Sequence, residues 1–133
     1  MIEFHNGVPT DKDQIVSLYQ KVGWTLYTQK PEKLLKGLHR SSVIAAYDQD
    51  VLVGLVRAVT DGETILYIQD LLVLPDYQRQ RIGQTLLEKM IAQYPDVRQK
   101  ILLTDDQAKT KSFYQSCGFQ QVGQTGGVAF IHH

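Results

Sequence analysis

The chain has 133 residues, a size that points to one domain spanning 1–133 and allows a real core without disulfide staples. Hydrophobic residues make up 43% and the 14 basic residues balance the 14 acidic ones, so no overall field exists to draw in nucleic acid or an anionic membrane. One cysteine, Cys117, excludes an intramolecular disulfide, no apolar run reaches membrane-spanning length, and "MIEFHNGVPT" lacks a signal-peptide layout; a cytoplasmic protein is expected.

In chain order, Ile2 and Phe4 alternate with polar residues and predict a short edge strand over 1–6. "PTDKDQIVSLYQKV" predicts a helix capped by Thr10 or Asp11, with Ile15, Leu18, Tyr19 and Val22 on one stripe and Gly23 at its end. "WTLYTQ" reads as a loop or broken turn. "PEKLLKGLHR" reads as a short helix with Pro31 at its first position. Three strands follow, at about 43–47, 51–60 and 64–74, separated by the turn-forming "DQD" and "DGE". The third is apolar from Ile65 to Leu74 apart from Gln69 and Asp70, which marks a central strand with both faces covered.

Pro75 and Asp76 stop that strand, and Ile82, Leu86, Leu87, Met90 and Ile91 at helical spacing open a helix that Pro95 ends. "RQKILLTDD" reads as a strand and "QAKTKSFYQSCGF" as a helix closed by Gly118. Phe119–Val122 and Val128–Ile131 are expected as last strands around "GQTGG". The order β-α-α-β-β-β-α-β-α-β-β predicts an α/β fold: a mixed, mostly antiparallel sheet of six to seven strands flanked by about four helices.

The stretch "YQRQRIGQTLLEKM" puts two arginines where a helix start already carries partial positive charge. That disfavours the helix and favours a bound polyanion. A central strand, a tight turn and a helix form a general phosphate cradle. Gly83 has no Cβ to hold a ligand off the backbone, the N–H groups of Arg81, Ile82, Gly83, Gln84 and Thr85 would point outward, and Arg79 and Arg81 could add charge-assisted contacts. Neither G-x-x-x-x-G-K-[ST] nor G-x-G-x-x-G with a downstream acid is present.

Two motifs carry a resemblance to a known family. Leu71-Leu72-Val73-Leu74-Pro75-Asp76-Tyr77 followed by Gln78-Arg79-Gln80-Arg81-Ile82-Gly83 resembles the strand end and [Q/R]-x-x-G-x-[G/A] loop of the GCN5-related N-acetyltransferases. Phe113-Tyr114-Gln115-Ser116-Cys117-Gly118-Phe119 is similar to that family's F-Y-x-x-x-G-F helix end. Arg81 departs from the pattern by standing where the family usually has its first glycine. An arginine fits there if it stays right-handed helical with its N–H facing the ligand, and is strained if the position needs positive φ.

The resemblance implies that the polyanion is the pyrophosphate of acetyl-CoA. It further implies a splayed strand pair holding the coenzyme, its pantetheine arm bonding main chain near Leu71, Leu72 and Val73, and a strand bulge at Val73 whose N–H steadies the reacting carbonyl oxygen. A homodimer is an analogy of the same kind.

Acetyl transfer needs a neutral amine, a fixed donor for the developing oxyanion and stabilisation of the leaving thiolate. Tyr114 is the candidate for the thiolate. Against a thiol near ~8.5, an unperturbed tyrosine near ~10 gives up its proton uphill by roughly 2 kcal/mol, so it serves first as a hydrogen-bond donor. Packing beside Phe113 is the alternative. Asp70, a carboxylate in an apolar strand, is the first candidate base, against an ion pair with Arg57 on the neighbouring strand or a cap for a nearby backbone group. Glu63, in an exposed turn, is the second, and a water chain is the third.

Trp24 and Tyr27 are candidates for lining an acceptor pocket, against a plug between two helices. "VGW", "VGLVRAVTDG" and the two motifs together resemble the plant and cyanobacterial branch that includes serotonin N-acetyltransferase, which implies an arylalkylamine or another small primary amine. A protein lysine or N-terminal amine, and an acyl-CoA sensor without turnover, are the alternatives. Cys117 reads as a core residue, and His5 and His39 have no metal spacing.

Overall fold

In the computed structural model, which describes residues 1–133, the chain divides into two compact units, Met1–Leu103 and Thr104–His133. The first holds a five-stranded sheet in the order β1-β2-β3-β4-β5: β1 Ile2–Asn6, β2 Ser42–Asp48, β3 Val51–Thr60, β4 Ile65–Val73 and β5 Gln99–Leu102. β1 to β4 are antiparallel neighbours, and β5 runs parallel to β4. The turn between β2 and β3 puts Gln49 at φ 55°. The turn between β3 and β4 is built on Asp61, whose carboxylate accepts from the Thr64 hydroxyl and from the N–H groups of Glu63, Thr64 and Ile65; these bonds, the hydroxyl's foremost, hold it well below the usual carboxylate range.

Helices α1 (Lys12–Lys21), α2 (Thr25–Thr28) and α3 (Pro31–His39) lie between β1 and β2 in sequence, and α4 (Ile82–Ala92) connects β4 to β5. Asp11 caps α1 by accepting from the N–H groups of Asp13 and Gln14. The Gln14 side chain then clamps α1 to the start of β3, accepting from Leu52 N–H and donating to the Asp50 carbonyl. Ile15, Leu18 and Tyr19 of α1 and Leu34 and Leu38 of α3 pack with Val43, Ala45, Leu55 and Leu72 of the sheet.

Two glycines set how closely helices approach this sheet. A Cβ on Gly54 of β3 would lie 3.2 Å from the Leu72 carbonyl and 3.3–3.4 Å from Leu86 and Ile82, so its absence seats the start of α4 against the strands. A Cβ on Gly37 of α3 would lie 2.9 Å from Arg57 Nη1. Glycine mid-helix costs about 1 kcal/mol against alanine, and here it opens a notch for a buried guanidinium.

The second unit contains α5 (Ala108–Ser116) and a 3₁₀ turn at Val122–Thr125. The strands expected at Phe119–Val122 and Val128–Ile131 are not formed, so the sheet has five strands rather than six or seven. Each run has four residues, and Gly123, Gly126 and Gly127 break the intervening chain, with Gly126 at φ 92°. So short a ladder recovers little of the entropy of ordering glycine-rich chain. "WTLYTQ" forms the one-turn helix α2, which makes five α-helices where about four were expected.

Gly37→Ala should destabilise the protein in urea denaturation by on the order of 1 kcal/mol, because displacing Arg57 outweighs the gain of ~1 kcal/mol in helix propensity. In an Arg57→Ala background the same change should become stabilising.

Candidate active site

β5 ends at Leu102 opposite Ile68, and β4 continues for five more residues, Gln69 to Val73, with no strand on that side. A bulge accompanies this parting. Arg57 faces Asp70 while Ala58 faces Ile68, so Gln69 is the extra residue. The bulge expected at Val73 therefore lies four residues earlier. Leu74 N–H donates to the Val53 carbonyl, and alternation along the strand then turns the N–H groups of Leu71 and Val73 toward the open edge. The Val73 carbonyl, on the same edge, accepts from Gln78 Nε2 at 3.1 Å.

Beyond the edge, Pro75–Tyr77 forms a 3₁₀ turn, and Tyr77 donates to Asp48 Oδ2 at 2.7 Å, tying the turn to the end of β2. The loop then folds through two left-handed residues, Arg79 at φ 67° and Arg81 at φ 66°. Arg81 is the N-cap of α4 and gives no side-chain capping bond. Its place in the family's glycine slot thus demands positive φ, the strained case, at a cost of roughly 1–2 kcal/mol. Gln78, Arg79, Gln80 and Arg81 are exposed, and Gly83, Gln84 and Thr85 are half-buried in the first turn of α4 after buried Ile82. The N–H groups of that first turn have no carbonyl behind them within the helix. Thr85 bonds back to the Arg81 carbonyl through both N–H and hydroxyl, and Gln84 donates to Glu88.

On the face of β4 that meets α1, Asp70 is 2% exposed and Arg57 9%. Asp70 accepts from Arg57 Nε at 2.8 Å, from Tyr19 Oη at 2.9 Å and from Tyr27 Oη at 3.0 Å. The ion pair weighed as an alternative to catalysis is thus the arrangement present, and both tyrosines join it. Removing one partner of such a pair costs about 3–5 kcal/mol, which makes the network an anchor for α1 and α2. Burial and the Asp70 charge raise the pKa of Tyr19 strongly, and burial raises that of half-buried Tyr27. Glu63 lies exposed in its turn.

Trp24 and Tyr27 pack with Tyr19 in one aromatic cluster, with ring centroids 5.2–6.2 Å apart. Trp24 also completes the end of α1. Gly23 N–H donates to the Gln20 carbonyl and Trp24 N–H to the Tyr19 carbonyl, with Gly23 at φ 90°: a Schellman cap with its hydrophobic contact. The second unit repeats this device. Gly118 N–H donates to Gln115 and Phe119 N–H to Tyr114, with Gly118 at φ 93° and the Tyr114 and Phe119 rings 6.0 Å apart. The F-Y-x-x-x-G-F motif therefore has a structural content of its own. Burial, with nearby Cys117 and Asp105, pushes the Tyr114 phenol up to about 12. Its proton is then harder to give away than an ordinary tyrosine's, by about 3 kcal/mol.

Asp70, Trp24 and Tyr27 thus come together in the first unit, with the open edge and loop on the same β4, while Tyr114 belongs to the second unit. Sequence reasoning missed Tyr19, Gln69 and Tyr77. Tyr77 stood in the strand-end motif without a role given to it, and Tyr19 left a signal in the spacing Tyr19-x-x-x-Gly23-Trp24 that matches Tyr114-x-x-x-Gly118-Phe119.

Comparison with known proteins follows this geometry. Residues 39–121 match the family description "Acetyltransferase (GNAT) domain". The chain belongs to the GNAT acetyltransferase family. A solved GNAT-family acetyltransferase from Streptococcus pneumoniae is 32% identical, covers 100% of this chain and 98% of its own, and superposes with a TM-score of 0.87. "Histone acetyltransferase TAP1" of Glycine max is 31% identical over 90% of this chain and 56% of its own length. "GCN5-related N-acetyltransferase 2, chloroplastic" of Arabidopsis thaliana is 30% identical over 90% and 54%. The chain thus spans a little over half the length of these plant relatives. No helix is long and apolar enough to cross a membrane.

Relief of the left-handed strain gives a direct check on the loop. Arg81→Gly should raise the thermal unfolding midpoint, by no more than about 1 kcal/mol of stability because glycine also loosens the unfolded chain. Arg81→Val, β-branched at positive φ, should lower it.

Proposed function

We propose that the chain is an acetyl-CoA-dependent N-acetyltransferase that moves the acetyl group to a primary amine of a small molecule by direct attack. The observation that carries this reading is the open edge of β4, whose outward amides at Leu71 and Val73 run straight into the N-terminus of α4. In this reading the pantetheine arm lies along Leu71, Leu72 and Val73 as an added strand. The pyrophosphate lies on the first-turn amides of α4, with Arg79 and Arg81 adding charge. The bound coenzyme supplies an activated acyl group on a thiol leaving group. An edge amide, at Leu71 or Val73, meets the oxyanion.

Tyr114 donates a hydrogen bond to the departing thiolate and keeps its proton. With the phenol near 12 against a thiol near ~8.5, full transfer is uphill by roughly 5 kcal/mol. Asp70 receives the amine proton. The aromatic cluster of Trp24 and Tyr27 favours an amine carrying a flat apolar group, such as an arylalkylamine. A protein amine is the second reading, favoured by the name of the soybean relative. We assign the activity to a reducing compartment, the cytoplasm, in keeping with the single cysteine.

Thiol release from acetyl-CoA over a panel of arylalkylamines, polyamines and lysine peptides tests the assignment. Release with small amines is expected. Release with peptides alone transfers the assignment to protein amines, and coenzyme binding without release leaves a sensor. Gly83→Val should weaken CoA binding at least ~10-fold in calorimetry by blocking backbone approach. Tyr114→Phe should lower kcat by ~10² with little change in coenzyme affinity. Because the phenol stays protonated, kcat should show no alkaline fall from Tyr114 below about pH 11.

A further inference from the structure

Asp70 is too deeply buried to meet an acceptor amine, and its carboxylate is already engaged by three donors. The only half-exposed member of that set is Tyr27. Its hydroxyl donates to Asp70 Oδ1 and accepts from Arg57 Nη2 at 3.1 Å and from Gln69 Nε2 at 3.2 Å. A phenol oxygen has one hydrogen and two lone pairs, so its bonding capacity is full. Of its partners, Arg57 is locked in the Gly37 notch and Asp70 is buried. Gln69 is exposed, neutral and held by this one contact. It is also the bulge residue, two positions before the outward amide of Leu71.

We propose that Tyr27 is the group that meets the acceptor nitrogen, that it relays the proton to Asp70, and that Gln69 keeps the acceptor's place on the hydroxyl until the amine displaces it. This rests on the acetyltransferase reading above. As the nitrogen attacks the thioester carbon, the C–N bond forms and the nitrogen becomes positive. One N–H proton passes to the Tyr27 oxygen while the Tyr27 proton passes to Asp70 Oδ1. The C–S bond then breaks, the electron pair leaves on sulfur, and the thiolate takes a proton from solvent. Asp70 returns its proton to solvent through the same hydroxyl after the amide product departs, which balances the one the thiolate took. The charged and titratable groups around Tyr27 are Asp70 from β4, Arg57 from β3 and Tyr19 from α1. Arg57 and Tyr19 hold Asp70 in place and are positioning residues.

The test is the pH profile of Tyr27→Phe, which keeps the ring in its cluster and leaves Asp70 with two partners. The variant, confirmed folded by circular dichroism, should lose ~10² in kcat at pH 7. That deficit should shrink toward pH 10 as hydroxide takes over the proton. Gln69→Ala, at an exposed site, should lower the KM for the amine severalfold. A Tyr27→Phe deficit that is flat with pH, or confined to KM, overturns the relay. An unchanged or raised KM in Gln69→Ala overturns the place-holding role. Either result leaves wild-type turnover intact, whereas a wild-type chain that acetylates no amine overturns the acetyltransferase reading and the relay with it.

Discussion

The ion pair between Arg57 and Asp70 is the interaction around which the first unit is arranged. Both charges are withdrawn from water, so each must be fully bonded. Satisfying Asp70 recruits a tyrosine from α1 and another from α2. Accommodating Arg57 requires a glycine on α3. Three helices are thereby fixed against two strands by one buried charge on each strand. The same contacts bring the aromatic cluster beside the strand that leads to the proposed coenzyme edge.

A single surplus residue gives that strand its second property. Gln69 takes β4 out of simple register with β3 at the level where β5 ends. Below it the strand is an ordinary central member of the sheet. Above it the strand has one bonded edge and one open edge, and Tyr77, Leu74 and Gln78 brace the exit into the loop. The two left-handed arginines then turn the chain tightly enough to start α4 at once, and the missing Cβ of Gly54 lets that helix settle on the strands.

Most of the first unit was legible because its elements obey simple periods. β3 falls at the expected residues, and β2, β4 and the long helices differ from expectation by a residue or two at their ends. The final strands were misread because the apolar residues of Phe119–Val122 and Val128–Ile131 say nothing about the glycines' entropy. The bulge was misplaced because an added residue leaves no mark in composition: Gln69 reads as any polar strand position. For Asp70, sequence left a base, an ion pair with Arg57 or a backbone cap, and the geometry shows the pair. The tyrosines that complete it come from 43 and 51 residues away, beyond the reach of local spacing. For Trp24 and Phe119, part of the motif signal turned out to be helix capping, which a purely chemical reading of those aromatics does not anticipate.

The notch at Gly37 has a consequence for how this lineage can diverge. A side chain at 37 presses on the tip of Arg57, and any retreat of Arg57 weakens the counter-charge that Asp70 relies on. Substitutions at positions 37, 57 and 70 are therefore energetically coupled rather than independent.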